Sequence, residues 1–263
     1  MILIKKIILK IIQKINLFFL KRKFKKIAIY HVPKTGGTSI KHLFIKSCGR
    51  DSFFQTSDFL PLKKNDFDSK NRIFIGHKSF KDFIDKDLLE ITILRDPIDL
   101  YISYYFSHLN FDKKNNFKKL SPNIIQKNKM NIKEYVNLIK IKQFDNIVTR
   151  IFSQKINPKS HNTLYWDKNN CSLDEYCINE KDFQFALTNL KKIKVYYLEN
   201  MNYKKFLKSL NLKLLFFNCF RENKSIKNFD IHDDDKKLIS SICYYDKKIL
   251  NYLKANKMID MFS

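Results

Sequence analysis

Glycine is scarce in this chain, four residues in 263, and proline little commoner at five. No Gly/Ser-rich or Pro-rich stretch marks a linker and no fixed-period repeat is present, so a single folded domain is expected. Acidic residues are also few: 26 Asp and Glu against 51 Lys and Arg, a formal charge of +25. That excess invites a nucleic-acid reading. The lysines are scattered, however, and Ile, Asn and Lys are abundant throughout, as an AT-rich genome would produce. No zinc finger or aromatic RNA-binding signature accompanies them, so nucleic acid is not an expected partner. The five cysteines are an odd set without a Cys-x-x-Cys pair, which argues for a reducing, cytoplasmic compartment. No cluster of residues has metal-ligand spacing. With 44% apolar residues a sizeable core can still form.

Two of the four glycines stand side by side in Ile29-Tyr30-His31-Val32-Pro33-Lys34-Thr35-Gly36-Gly37-Thr38-Ser39. The run from Ile27 to Val32 has the composition of a short buried strand, and Ile40 onward resumes with helical spacing. Strand, tight glycine turn and helix start aim backbone N–H groups and a helix N-terminus at one spot, which favours an anion. Lys34 adds a positive charge, and Thr38 and Ser39 add hydroxyls. This is not a Walker A loop, whose lysine follows the second glycine.

A second segment reads Ile91-Thr92-Ile93-Leu94-Arg95-Asp96-Pro97, then Tyr101 and Ser103. Its strand ends at Arg95, and Pro97 suits a first helical turn, where its missing N–H costs nothing. An arginine at a strand's C-terminal end stands where open α/β sheets bind ligands, and its planar fork suits phosphate. A third segment, Ile75-Gly76-His77, puts a histidine at another strand end. Histidine titrates near neutral pH and can act as a base. Glu90 and Asp96 are other candidate bases, though neither lies in a comparable motif.

Together these segments resemble the carbohydrate sulfotransferases, specifically the heparan sulfate 2-O-sulfotransferase-like type in a bacterial form. The resemblance spans roughly residues 27–255 but is concentrated in the three motifs. It implies transfer of a sulfuryl group from 3′-phosphoadenosine 5′-phosphosulfate (PAPS) to a hydroxyl on a saccharide or glycolipid, without a metal. In that scheme the loop amides with Thr35, Gly36, Gly37, Thr38 and Ser39 bind the 5′-phosphate. Lys34 stabilises charge in the transition state, Arg95 and Ser103 hold the 3′-phosphate, and His77 takes the acceptor proton. Looser matches are Asp145–Arg150, facing the acceptor in bacterial relatives; 193–201, a late strand and turn; and 221–225, closing over the donor. Two rivals remain open: a nucleotide-dependent kinase on a P-loop-like fold, and a non-catalytic, membrane-associated nucleotide-binding relative.

The expected fold is α/β: a P-loop-like, mostly parallel sheet flanked by helices on both faces. Strands are expected near 27–32, 72–76, 90–95 and 193–198. Helices are expected near 37–47, 97–109, 131–153, 180–191, 200–210 and 233–255, with 111–130 a polar loop. The chain divides into a basic amphipathic helix at 1–24 and the catalytic domain at 25–263. Residues 1–26 hold nine Lys or Arg and no acid, four of the lysines within the first 14 positions. That lysine content argues against both a signal peptide and a membrane span. Two readings stand for this helix: peripheral on an anionic membrane at its inner face, or packed on the domain's own core.

Overall fold

The computed structural model describes residues 2–23, 26–55, 72–76, 88–109, 130–141, 143–155, 177–199, 201–212 and 231–261. The chain forms two compact units, the first from residues 1–94, 192–223 and 257–263 and the second from 95–191 and 224–256.

The first unit holds a six-stranded, wholly parallel sheet in the order β2-β3-β1-β4-β5-β6. The strands are β1 (Lys26–Tyr30), β2 (Phe53–Gln55), β3 (Ile73–Gly76), β4 (Leu88–Leu94), β5 (Lys194–Tyr197) and β6 (Ile259–Asp260). The central strands are short β-branched runs, as suits a sheet covered on both faces. Ile27, Ile29, Ile73, Ile75, Ile91 and Ile93 share one face. Against it pack Ile40, Leu43 and Phe44 of α2 (Gly37–Cys48) and Phe206 and Leu207 of α7 (Tyr203–Ser209). Phe206 meets the rings of Phe44 and Tyr196 edge-on at 5.9 and 4.8 Å. Ala28, Phe74 and Thr92, which point the other way, are buried too. Each fully buried isoleucine is worth roughly 1.5–3 kcal/mol, so this face is the main source of the unit's stability.

The long helix α1 (Ile2–Lys23) belongs to this unit and packs on α2. Its contact is polar at the centre. The Asn16 side-chain amide, fully buried, donates to the Ser47 carbonyl at 2.7 Å. Gln13 donates to the carbonyls of Ile45 and Lys46 at 3.4 and 3.2 Å. These carbonyls belong to the last turn of α2, where backbone donors run out; the Ile45 carbonyl also accepts from Gly49 N–H at 2.8 Å. Leu17 packs against the core beside them.

The second unit is helical throughout its described residues: α3 (Pro97–Leu109), α4 (Ile132–Ile141), α5 (Ile147–Ser153), α6 (Glu180–Leu190), α8 (Asp233–Ser240) and α9 (Tyr244–Ala255). Two helices expected to be continuous are each broken. Residues 131–153 split into α4 and α5 because Gln143 and Asn146 adopt left-handed backbone, φ 54° and 47°. Asn146 is held there by its own bonds: its N–H donates to the Ile242 carbonyl at 2.7 Å, and its side-chain oxygen accepts from Tyr245 N–H at 2.8 Å. Asparagine tolerates this conformation better than most residues. Residues 233–255 split at 241–243 into α8 and α9. The short strands β2 and β6 were not expected. Residues 111–129 lie outside the described residues.

Candidate functional site

The loop after β1 is fastened on both sides. The Tyr30 hydroxyl donates to the Glu90 carboxylate on β4, and the Thr92 hydroxyl donates to the Tyr30 carbonyl at 2.8 Å. His31 N–H donates to the Gly76 carbonyl, the last residue of β3, at 2.7 Å. The chain leaving β1 is thus pinned to both neighbouring strands before it turns.

The turn itself is closed by Thr35, whose hydroxyl donates to the Val32 carbonyl at 2.6 Å while its N–H points to the same oxygen at 3.4 Å. Thr35 is buried. In this structure its hydroxyl proton braces the loop from within. Thr38 is exposed, while Lys34 and Ser39 are half-buried.

Lys34 has φ 64°, a left-handed conformation that costs a non-glycine residue about 1–2 kcal/mol. Strain of this kind gathers at functional turns. The two glycines are needed for different reasons. Gly36 lies at φ 78°, and a Cβ there would stand 3.0 Å from Leu198, just beyond β5. At Gly37 the obstacle is a side chain: an added Cβ would lie 1.9 Å from Nε2 of His31.

The imidazole of His31 therefore lies directly over the first residue of α2. Neither His31 nor Leu198 was singled out from sequence. For His31 the available signal was its place two residues before Pro33 in the same motif; for Leu198 there was none, because the contact is long-range.

The N-cap of α2 is Gly36, which has no side chain to cap the helix, and the first turn holds no acid. The leading N–H groups of a helix have no intrahelical acceptor, and the helix dipole places partial positive charge there. With Lys34 alongside in sequence, the loop is built to receive an anion.

The other motifs are positioned as follows. Arg95, half-buried, comes directly after the last residue of β4. Asp96 is the N-cap of α3: its carboxylate accepts from Ile98 N–H at 2.9 Å and Asp99 N–H at 3.3 Å. Pro97 occupies the first helical position, as expected. On α3 the residues Leu100, Tyr101, Ile102, Tyr104, Tyr105 and Phe106 are buried. Ser103 among them is half-buried, the polar exception on that stretch. Gly76 closes β3, but His77 lies outside the described residues, as do residues 221–225. The segments carrying the loop, His77 and Arg95 follow directly in sequence from β1, β3 and β4, three adjacent parallel strands.

Asp145–Arg150 is a structural knot within the second unit. The Arg150 side chain, 1% exposed, donates to the Asp145 carbonyl at 2.7 Å, the Asp145 carboxylate at 2.5 Å and the Lys155 carbonyl at 3.4 Å. Across from it, the buried Asp246 carboxylate accepts from Val148 N–H at 3.1 Å and from Thr149 N–H and hydroxyl, both at 2.8 Å. It thereby caps α5. Burial pushes the Asp246 carboxyl up to about 6, and the Thr149 and Val148 hydrogen bonds oppose that rise.

No curated protein matches the chain. The model of the sulfotransferase family matches residues 17–256, which include the anion loop and the Arg95 and Ser103 segment. With nearly its whole length matched on a parallel α/β fold, the chain belongs to the sulfotransferase family and is a transferase of the sulfuryl group.

Proposed function

We propose that this protein moves the sulfuryl group of PAPS to a hydroxyl of a saccharide or glycolipid. The observation that carries the proposal is the loop from Lys34 to Ser39, opening a helix whose N-cap is a glycine, in a chain of this family. The 5′-phosphosulfate fits the donor set there: backbone N–H groups of residues 37–39, the Thr38 and Ser39 hydroxyls and the Lys34 ammonium. Lys34 neutralises charge on the bridging and sulfuryl oxygens as the nucleotide leaves. Arg95 and Ser103 hold the 3′-phosphate, which separates this donor from ATP. His77 accepts the proton of the attacking hydroxyl. In-line transfer of this kind leaves the protein mainly the tasks of positioning and charge stabilisation. Thr35 belongs to the same phosphate-binding loop, and its hydroxyl also braces the turn through the Val32 carbonyl. The saccharide acceptor rests on the resemblance of the three motifs to the carbohydrate enzymes.

The test is calorimetric binding of 3′-phosphoadenosine 5′-phosphate, ADP and ATP without magnesium, on the parent and on Arg95→Ala. A preference for the 3′-phosphorylated nucleotide that disappears in the variant is expected. Tighter binding of ATP would move the kinase reading forward, and no binding would favour a non-catalytic relative.

A further inference from the structure

Helix α1 is turned the unusual way round. The side chains it presses onto α2 at the centre of their contact are amides, Gln13 and buried Asn16, which cap the last carbonyls of that helix. On the side away from Asn16 stand Ile4, Ile7, Ile11, Ile15 and Phe18, between 41% and 62% exposed. Their spacing of three and four residues makes one continuous apolar stripe along the helix. Beside it run Lys6, Lys10 and Lys14, all exposed and one turn apart. A surface helix in water buries such a stripe.

We infer that this stripe is a docking keel for an anionic lipid bilayer, held at a fixed angle by the Gln13 and Asn16 contacts. Charge decides the occupant. The first 26 residues hold nine basic residues and no acid. A second copy pairing through the same stripe would bring lysine rows together with no acid on the helix to offset them. A bilayer carrying anionic headgroups offers both an apolar interior for the isoleucines and counter-charge for the lysines. Docking is in the plane of the surface, since no described helix is long and apolar enough to cross a membrane. The seam lies at the C-terminal end of α2, about 14 Å along that helix from the loop glycines at the rise of an ordinary α-helix.

The experiment is co-sedimentation of the full chain with vesicles of phosphatidylcholine alone and of phosphatidylcholine mixed with phosphatidylglycerol. Two variants accompany the parent, Ile7→Glu/Ile11→Glu and Lys6→Gln/Lys10→Gln/Lys14→Gln. All five positions are exposed, so both variants should melt at the parent's temperature. The parent should pellet with the anionic vesicles only. The glutamate variant should stay in solution. Removing three lysines should weaken binding about a hundredfold, from roughly one kcal/mol per charge. Three results would overturn the inference: no pelleting of the parent, pelleting of the glutamate variant equal to the parent, or a parent dimer that the glutamate variant dissociates while neither binds vesicles. None of these depends on nucleotide binding, so the outcome is separate from the sulfotransfer test.

Discussion

At Gly37 a single methyl group would meet the His31 ring at 1.9 Å. Either the imidazole leaves its seat or the start of α2 shifts, and both disturb the donors proposed above to hold the phosphosulfate. Gly37→Ala should therefore lower turnover by about a hundredfold, the scale of a displaced reacting group, while the rest of the fold melts as before. A Gly37→Ala enzyme as fast as the parent would show that the His31 contact is incidental. His77→Ala tests a different step. If His77 takes the acceptor proton, its loss should cut turnover by about 10²–10⁴ while leaving nucleotide affinity unchanged; single-turnover rates beside calorimetry distinguish the two effects. Glu90 is tied to β1 by the hydrogen bond it accepts from the Tyr30 hydroxyl. Asp96 is likewise engaged as a helix cap.

Helix α5 is seven residues long and depends on a neighbour for its N-terminal cap, Asp246 of α9. That carboxyl has an ordinary value of 3.8 and stands near 6 in the folded protein, chiefly through burial. The folded state keeps a proton that the unfolded chain gives up. Its contribution is fully present below pH 3.8 and is lost as pH rises through 6, on the order of 3 kcal/mol in all. Urea unfolding of the parent and Asp246→Asn at pH 4 and pH 7 isolates this group from the other carboxylates. The parent's stability relative to the variant should fall between the two pH values; a constant difference would mean that Asp246 ionises normally. Elements of this kind also mark where sequence reading stops. The strands β1, β3, β4 and β5 and helices α2 and α3 were legible, because a β-branched run, a glycine pair and an Asp-Pro start are local signals. The breaks between α4 and α5 and between α8 and α9 were not, since Asn146 is held by the distant residues Ile242 and Tyr245. The two-residue strand β6 has no pattern to read apart from its partner β5. At the site, the strand, glycine turn and helix start could be read from residue order. That Thr35 bonds Val32 instead of facing outward, and that Leu198 backs Gly36, could not.

Across the whole molecule a formal charge of +25 acts in two opposite directions. It repels itself within the folded chain and attracts anionic ligands to it. Raising salt from about 0.05 to 0.5 M shrinks the screening length to a few ångströms, so the melting temperature should rise while nucleotide affinity falls. Thermal melts and calorimetry over the same salt series check both, and parallel changes would show that net charge governs neither. The first unit is also discontinuous. Its strands up to β4 precede residue 95, whereas β5 and the core residues Phe206 and Leu207 come after residue 191. During synthesis the intervening segment takes roughly 5–20 s to emerge at ordinary elongation rates. For that interval the nascent sheet has an unpaired flank at Ile91–Leu94 and lacks the covering side chains Phe206 and Leu207. The order in which the ribosome delivers the parts thus sets a waiting time, during which the edge of β4 stays open to other strands.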